Sequence, residues 1–435
     1  MTKRQTSIAK LSDEAQFADM TPIRRHRPDY LIVLCMGLLM LLGLIIMYAI
    51  GPQRANVLNN AYGSNYNDSY FFIKQVVSLL FALTAFVAMA FIPYTSVTKR
   101  AGKIVLLALG ACLVLAIAGW ANLEIAQQTL GATRWFNLGI FGSLQPAEML
   151  KFAILVFTAG FLGTKAKQGK LNDIQSTLVP LAIITIISMV FIIVIQEDLG
   201  TGISLMGIII TMLFVGGINI RNGGIISLAI LALGAILIFS APHRVDRIIT
   251  YFKGDNSSTS DGGSYHIEHA KIAIGTGGLF GVGIGNSVQA TGYLPEATND
   301  SVFAIMGETF GFVGLFTILV LFVVLLMRLL KIMDHLVDIR LKLLVAGVFG
   351  WFGSHVILNV ASMIGVFPLT GITLPLLSFG GTSMLFIAAA LGLVFQLSRY
   401  TVHSSTLKEA QYEDLGSRRG IGRSRHTSRS SFTRN

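Results

Sequence analysis

The chain has 435 residues, of which 53% are hydrophobic and only 13% are charged. A soluble domain carries about 25% charged residues, so a water-soluble globular protein is excluded. The net charge of +11 would suit a nucleic-acid binder, but the basic residues sit in tails and short loops between greasy blocks, and no nucleic-acid partner is expected.

A membrane-crossing helix needs roughly 20 apolar residues. Ten such blocks run along the chain: 30–51, 71–92, 103–121, 147–164, 177–195, 201–219, 223–241, 303–327, 341–364 and 377–398. The first is not a signal peptide, being too long, late to start and without a small-residue cleavage site. The expected fold class is an all-α polytopic membrane protein of about ten transmembrane helices, with a large extracytoplasmic loop, 242–302, between helices 7 and 8. Residues 1–29 form one tail, 30–400 the membrane domain and 401–435 a basic tail. With ten spans, both tails share a side with 25 of the 33 Lys and Arg. The other eight are Arg54, Lys74, Arg134, Lys151, Arg244, Arg247, Lys253 and Lys271. The positive-inside rule then predicts a multi-pass protein of the cytoplasmic membrane with both termini cytoplasmic. The C-terminal "GSRRGIGRSRHTSRSSFTRN" is Ser/Arg/Gly-rich and reads as disordered, with charge suited to orientation and to anionic lipid. Cys35 and Cys112 lie mid-span and read as small hydrophobes.

No soluble domain is large enough to stand alone, so any chemistry must use the bundle and its outer loops. In "GATRWFNLGIFGSLQPAEMLK" (131–151), Pro146 suits a first helical turn. Glu148 and Lys151 lie three apart on one helical face in apolar territory. Ionisable groups there are costly, and are paired or functional; an internal ion pair and a substrate role both fit. In "IQEDLGTG" (195–202), Asp198 is placed to cap the next helix. "HIEHAKIAIG" (266–275) has roughly helical spacing and suits a helix at the interface or re-entering the bundle. His266 and His269 are spaced as a metal pair but lack a third ligand nearby. The glycines of "GTGGLFGVGIG" (275–285) do not make a P-loop, since no Lys-Ser/Thr follows and no strand precedes. They suit close backbone approach.

"GYLPEATNDSVFAIMGE" (292–308) puts Glu296 and Asp300 at the mouth of a long apolar run. Asp300 could cap that helix or serve chemistry at the membrane boundary. "FPLTGITLPLLSFGGTS" (367–383) breaks the chain with two prolines and three glycines, as is tolerated where backbone lines a cavity or is buried in protein; Ser378, Thr382 and Ser383 supply hydroxyls there. The outer face therefore gathers Arg134, Glu148, Lys151, Asp198, Lys271, Glu296 and Asp300. A transporter and a membrane-embedded enzyme both fit that much.

The four motifs "GATRWFNLGIFGSLQPAEMLK", "QEDLGT", "AKIAIGTGGLFGVGIGNSVQATGYLPEATNDSVFAIMGETFGFVG" and "PLTGITLPLLSFGGTS" occur in this order. Over about residues 30–400 the chain resembles the shape, elongation, division and sporulation family, the group that includes FtsW, RodA and SpoVE. The long tails and "TGITLP" lean toward FtsW. The resemblance implies a peptidoglycan glycosyltransferase that polymerises lipid II at the outer face of the cytoplasmic membrane during division or elongation. It implies a class B penicillin-binding protein as partner, with other divisome or elongasome membrane proteins. It matches Asp300 to the family's acidic residue tied to activity. Substrate contacts are expected from Lys271, Arg134, Glu148, Lys151, Asp198, Glu296 and Ser378. A divalent cation, Mg²⁺ or Mn²⁺, is a candidate cofactor, with Asp300 or Glu296 as candidate ligands. The sequence departs from the family's usual pattern in three of these motifs. Thr298 and Asn299 stand where the family commonly has His and Thr, Glu197 stands for Pro, "SFGGTS" stands for "SYGGSS", and Gly292 stands where many division members carry Glu. Two other readings stay open: a lipid II flippase, and a non-catalytic division scaffold.

Overall fold

The computed structural model describes residues 27–129, 132–139, 142–239 and 262–401. The N-terminal tail up to residue 26, most of the Ser/Gly-rich middle of the 242–302 loop and the C-terminal tail from residue 402 lie outside the described residues.

Among the described residues, each of the ten apolar blocks lies for most of its length on a helix. In chain order the helices are α1 (Tyr30–Tyr62), α2 (Tyr70–Phe91), the short α3 (Tyr94–Lys99), α4 (Ala101–Trp120), α5 (Pro146–Lys167), α6 (Val179–Met189), α7 (Leu199–Val215), α8 (Ile220–Phe239), α9 (Gly262–Thr276), α10 (Val302–Asp334), α11 (Ile339–Met363) and α12 (Gly381–Leu397). Turns of π-helix at Ile174–Leu178 and Val190–Ile195 extend α6 at both ends. Among the described residues, eight helices are long and apolar enough to cross a membrane, while Leu199–Val215 and Ile220–Ile236 are shorter apolar helices. Large apolar side chains such as Leu106, Leu107 and Phe214 stay exposed on the outside of the bundle. In water that would be a liability; against lipid it is the expected surface.

One region forms β-structure. Three short strands form a small antiparallel sheet: β1 (Ala126–Thr129), β2 (Ala132–Asn137) and β3 (Ser143–Leu144), in the order β1-β2-β3. The β-branched and aromatic residues of "TRWF" favour a pleated, half-buried strand. Thr133 of β2 lies so close to Gly119 of α4 that a Cβ there would stand 2.7 Å from the Thr133 hydroxyl. The sheet is thereby packed on the end of α4.

The ends of the bundle differ. At one end Asp29 caps α1 through Leu31 N, pairs with Arg328 of α10, and its amide donates to Ser398 Oγ beyond α12. At the other end helices are interrupted. The segment 364–380, between α11 and α12, is unwound yet buried at Leu374, Leu376 and Leu377. It packs on α1, where a Cβ at Gly43 would stand 2.7 Å from the carbonyl oxygen of Leu377. The chain breaks of "FPLTGITLPLLSFGGTS" therefore hold buried non-helical backbone, as expected.

The glycine run 275–285 has a definite task. Helix α10 is broken at Gly311, with φ 68 and ψ −168. A break strands carbonyls before it and amides after it, and buried backbone groups must be paired. Val282 N and Gly283 N donate to the carbonyls of Glu308 and Thr309, at 2.9 and 3.1 Å. Phe312 N and Val313 N donate to the carbonyls of Gly278 and Leu279, at 2.8 and 3.1 Å. Such bonds need backbone against backbone: a Cβ on Gly277 would stand 2.0 Å from Gly307 O, and one on Gly281 would stand 2.2 Å from Thr309 O. So α9 and the glycine run dock onto α10 as a hairpin.

Gly311 occupies a backbone region essentially closed to other residues, which costs them about 1–3 kcal/mol in strain alone. Gly311→Ala is expected to lower the thermal midpoint of the detergent-solubilised protein by several degrees. Gly275→Ala, where nothing lies within 4 Å of the added Cβ, is expected to be neutral. Equal midpoints for the two variants would show that the break carries no such constraint.

Candidate active site

The interrupted end of the bundle collects most of the residues singled out in the sequence, in two groups.

The first group centres on Lys151. Pro146 opens α5 at its first turn, with Glu148 in that turn. One helical turn on, Lys151 is fully buried, and its ammonium lies 2.7 Å from Glu148 Oε1. The i, i+3 ion pair therefore exists, but it is not closed on itself. Lys151 Nζ also lies 3.1 Å from His355 Nε2 on α11, and 5.0 Å from the centroid of the Trp351 ring. Trp351 Nε1 donates to the same His355 nitrogen at 3.2 Å. With two donors facing Nε2, that nitrogen must accept. The ring proton then sits on Nδ1 and is donated to the carbonyl of Thr373 at 3.2 Å. Glu148 Oε2 is buried with no hydrogen-bond partner among the described residues.

Asp198 borders this group. It is the N-cap of α7: Oδ1 accepts from Thr201 N at 2.9 Å. Oδ2 accepts from Thr201 Oγ1 at 2.8 Å and from Gln145 Nε2 at 2.6 Å. The capping role is thus met, and the spare oxygen ties α7 to the start of α5. Thr382, in the first turn of α12, donates to the Ser143 carbonyl and accepts from Gln145 N. Arg134 on β2 donates from Nε to the Gln196 carbonyl at 3.2 Å and from Nη2 to the Glu197 carbonyl at 2.8 Å. Glu197 is held at φ 53, and the guanidinium satisfies the carbonyls of that strained corner.

The second group surrounds Asp300. Helix α10 starts at Val302 with Ser301 as its N-cap, and Ser301 makes no side-chain capping bond. Asp300 lies one residue earlier and is not the cap. Its Oδ2 lies 3.6 Å from where a Cβ of Gly371 would stand, so the carboxylate sits over the unwound 364–380 segment. Its main-chain carbonyl accepts from Asn359 Nδ2 of α11 at 2.8 Å. Glu296 adopts φ 48 at the turn and accepts from Asn299 Nδ2 at 2.5 Å. Phe379 N donates to the Thr298 carbonyl, joining this turn to the unwound segment. Ser378 Oγ accepts from Leu374 N at 2.8 Å and braces that segment internally.

Lys271 on α9 is exposed and reaches the end of α11. A Cβ at Gly365 would stand 2.2 Å from Lys271 Cε. A cation there suits the negative end of the α11 dipole. His266 and His269 do not form a metal pair. His266 Nε2 lies 2.5 Å from Ser301 Oγ, while His269 Nδ1 lies 2.8 Å from Gln289 Oε1, with the ring against Tyr265. Among the described residues there is no cluster of three or more His, Cys, Asp or Glu side chains.

Sequence reasoning missed His355, Trp351, Asn359 and Glu308. The signal was present: His355 and Asn359 are polar residues at i, i+4 inside an apolar span, and Glu308 is a carboxylate inside another. Glu308 is buried and accepts from Ser287 Oγ, Val288 N and Gln289 N. It thereby holds the amides that open the 3₁₀ turn Gln289–Thr291.

Comparison with known proteins gives one answer. The family model for cell cycle proteins of the FtsW, RodA and SpoVE type matches residues 29–403. The chain is 34% identical to the stage V sporulation protein E of Bacillus subtilis (strain 168), over 87% of this chain and 99% of that one. It is 31% identical to a probable peptidoglycan glycosyltransferase FtsW of Taylorella equigenitalis, over 83% of this chain and 94% of that one. Its fold matches a chain of a solved peptidoglycan synthase complex, with a TM-score of 0.63, 24% identity, and coverage of 86% of this chain and 98% of that one. It also matches the rod shape determining protein RodA of Thermus thermophilus, with a TM-score of 0.59, 24% identity, and coverage of 87% and 98%. The chain belongs to the FtsW, RodA and SpoVE family of cell cycle proteins.

Proposed function

We propose that the chain is a peptidoglycan glycosyltransferase that polymerises lipid II into glycan strands in cell division or elongation. The names of its relatives support the activity. The structural observation that carries it is the placement of Asp300 beside Gly371, at the head of a long helix and over buried unwound backbone. Lipid II has an isoprenoid tail that belongs in the membrane and sugars that do not. A base for the sugar hydroxyl must therefore sit at the boundary, on something rigid.

The reaction joins the 4-hydroxyl of an acceptor GlcNAc to C1 of the donor sugar. The C1–oxygen bond to the lipid pyrophosphate breaks as the new glycosidic bond forms. Asp300 takes the acceptor hydroxyl proton as general base, and the lipid pyrophosphate leaves with its negative charge. Lys271, exposed on α9, is the candidate cation for that charge. Arg134 is less free to help, because Nε and Nη2 already serve the carbonyls of residues 196 and 197. Glu148, Lys151 and Asp198 form the polar wall behind the site, and Ser378 and Glu296 shape its loops.

The donor set does not form a resident metal cage: Glu296 is engaged by Asn299, and no third ligand accompanies it among the described residues. Mg²⁺ or Mn²⁺ would be held chiefly by the substrate's own pyrophosphate oxygens, as magnesium on phosphates commonly is. None of the steps above runs through it.

The distribution of Lys and Arg supports cytoplasmic termini and an extracytoplasmic site. The likeness to a synthase-complex chain supports a class B penicillin-binding protein as the partner that cross-links the product. The test is purified full-length protein, with and without that partner, given fluorescent lipid II, beside a liposome translocation assay. A ladder of glycan chains is the expected result. Translocation with no ladder would move the assignment to a flippase, and neither activity would move it to a scaffold.

A further inference from the structure

Asn359 is the best-placed polar group that the reading above does not use. It lies on α11 and is 1% exposed. Its amide nitrogen sits 2.8 Å from the main-chain oxygen of Asp300 and 2.7 Å from that of Ile372. An amide NH₂ has two hydrogens, so both are used, one on each carbonyl. The two carbonyls belong to different elements. Asp300 ends the turn that opens α10, and Ile372 follows Gly371 in the unwound segment between α11 and α12.

A single side chain therefore pins the two strips of non-helical backbone beside the Asp300 carboxylate to one point on α11. One turn earlier on that helix, His355 Nδ1 holds the next carbonyl, Thr373, while its Nε2 faces Lys151. The polar face of α11 is thus continuous from Lys151 to Asp300.

We infer that Asn359 is a positioning residue that fixes Asp300 against residues 371–372, and so holds the base where an acceptor hydroxyl meets it. The inference deepens the proposed polymerase reading and rests on it. A side chain of this kind is not interchangeable. Leu matches the shape of Asn but donates nothing, so both carbonyls lose their partner. Ser keeps one donor on a shorter arm and can serve one carbonyl at most.

The test uses the full-length chain with its transpeptidase partner, as wild type, Asn359→Leu and Asn359→Ser. Two quantities are measured: the kcat and KM of lipid II polymerisation, and amide hydrogen exchange of the 296–301 turn in the absence of substrate. A misplacement of about 1 Å can cost about 100-fold in rate. The expected result is a kcat lowered about 100-fold for Leu and less for Ser, with KM within about threefold. Exchange at Asn299 and Ser301, whose amides donate to Glu296 O, should speed up in the same order. Faster exchange together with a fall in kcat supports the assignment. A fall in kcat with unchanged exchange, or a change confined to KM, overturns it. Faster exchange in the variants beside a wild type that makes no glycan would sink the polymerase reading and leave only the restraint on the 296–301 turn standing. If the Leu variant fails to fold, the Ser variant alone decides between these outcomes.

Discussion

Asp300→Asn is expected to abolish glycan polymerisation while leaving a folded protein in the membrane. The amide keeps the shape of the carboxylate and its place over Gly371, but it cannot take a proton. General-base catalysis contributes about 100- to 10,000-fold, so the residual rate should fall by at least that range. Fold should survive because the amide is isosteric with the carboxylate, Ser301 stands at the N-cap of α10, and Asn359 binds the main chain of residue 300. The readout is the glycan ladder from fluorescent lipid II, with size-exclusion behaviour and partner binding as controls. Activity within tenfold of wild type would show that the base lies elsewhere.

The largest effect on stability is expected at Lys151. Its ammonium is fully buried and serves Glu148, His355 and the face of Trp351 together. Lys151→Met would fill most of the space and remove the charge. It would leave a carboxylate 3% exposed, with no cation paired to it among the described residues. Breaking one partner of a buried ion pair costs about 3–5 kcal/mol. The thermal midpoint in detergent should drop steeply, and much of the loss should return in Glu148→Gln/Lys151→Met, where no uncompensated charge remains. If the double variant were as unstable as the single one, the pair would not be the source of the loss. Polymerisation by the double variant separates the two roles open for this pair. A folded but inactive protein would place the pair in the reaction, and retained activity would make the pair structural.

The elements that the sequence made legible are those encoded locally. A run of apolar residues marks a span whatever lies next to it. Pro146 opens α5, Asp198 caps α7, and Glu148 meets Lys151 one turn away, because each depends on residues within a few positions. The small sheet at 126–144 was not legible in the same way. Its strands are only two to six residues long, too short for a pattern to declare itself.

The sequence by itself determined that this is a bundle of membrane helices, where the chain must unwind, and that Asp300 stands at the mouth of α10. Hydrophobicity, proline and glycine act through the solvent and the backbone, and need no distant partner. The tertiary structure alone decided what surrounds those residues. His355 is 204 positions from Lys151, and Asn359 is 59 from Asp300. The glycine run at 275–285 is legible as a place of close backbone approach, but its partner appears only in the broken turn at Gly311, whose stranded carbonyls and amides it satisfies. Inside a membrane no water can take those bonds. The partner of every interrupted helix must come from elsewhere in the fold, and no local pattern names it.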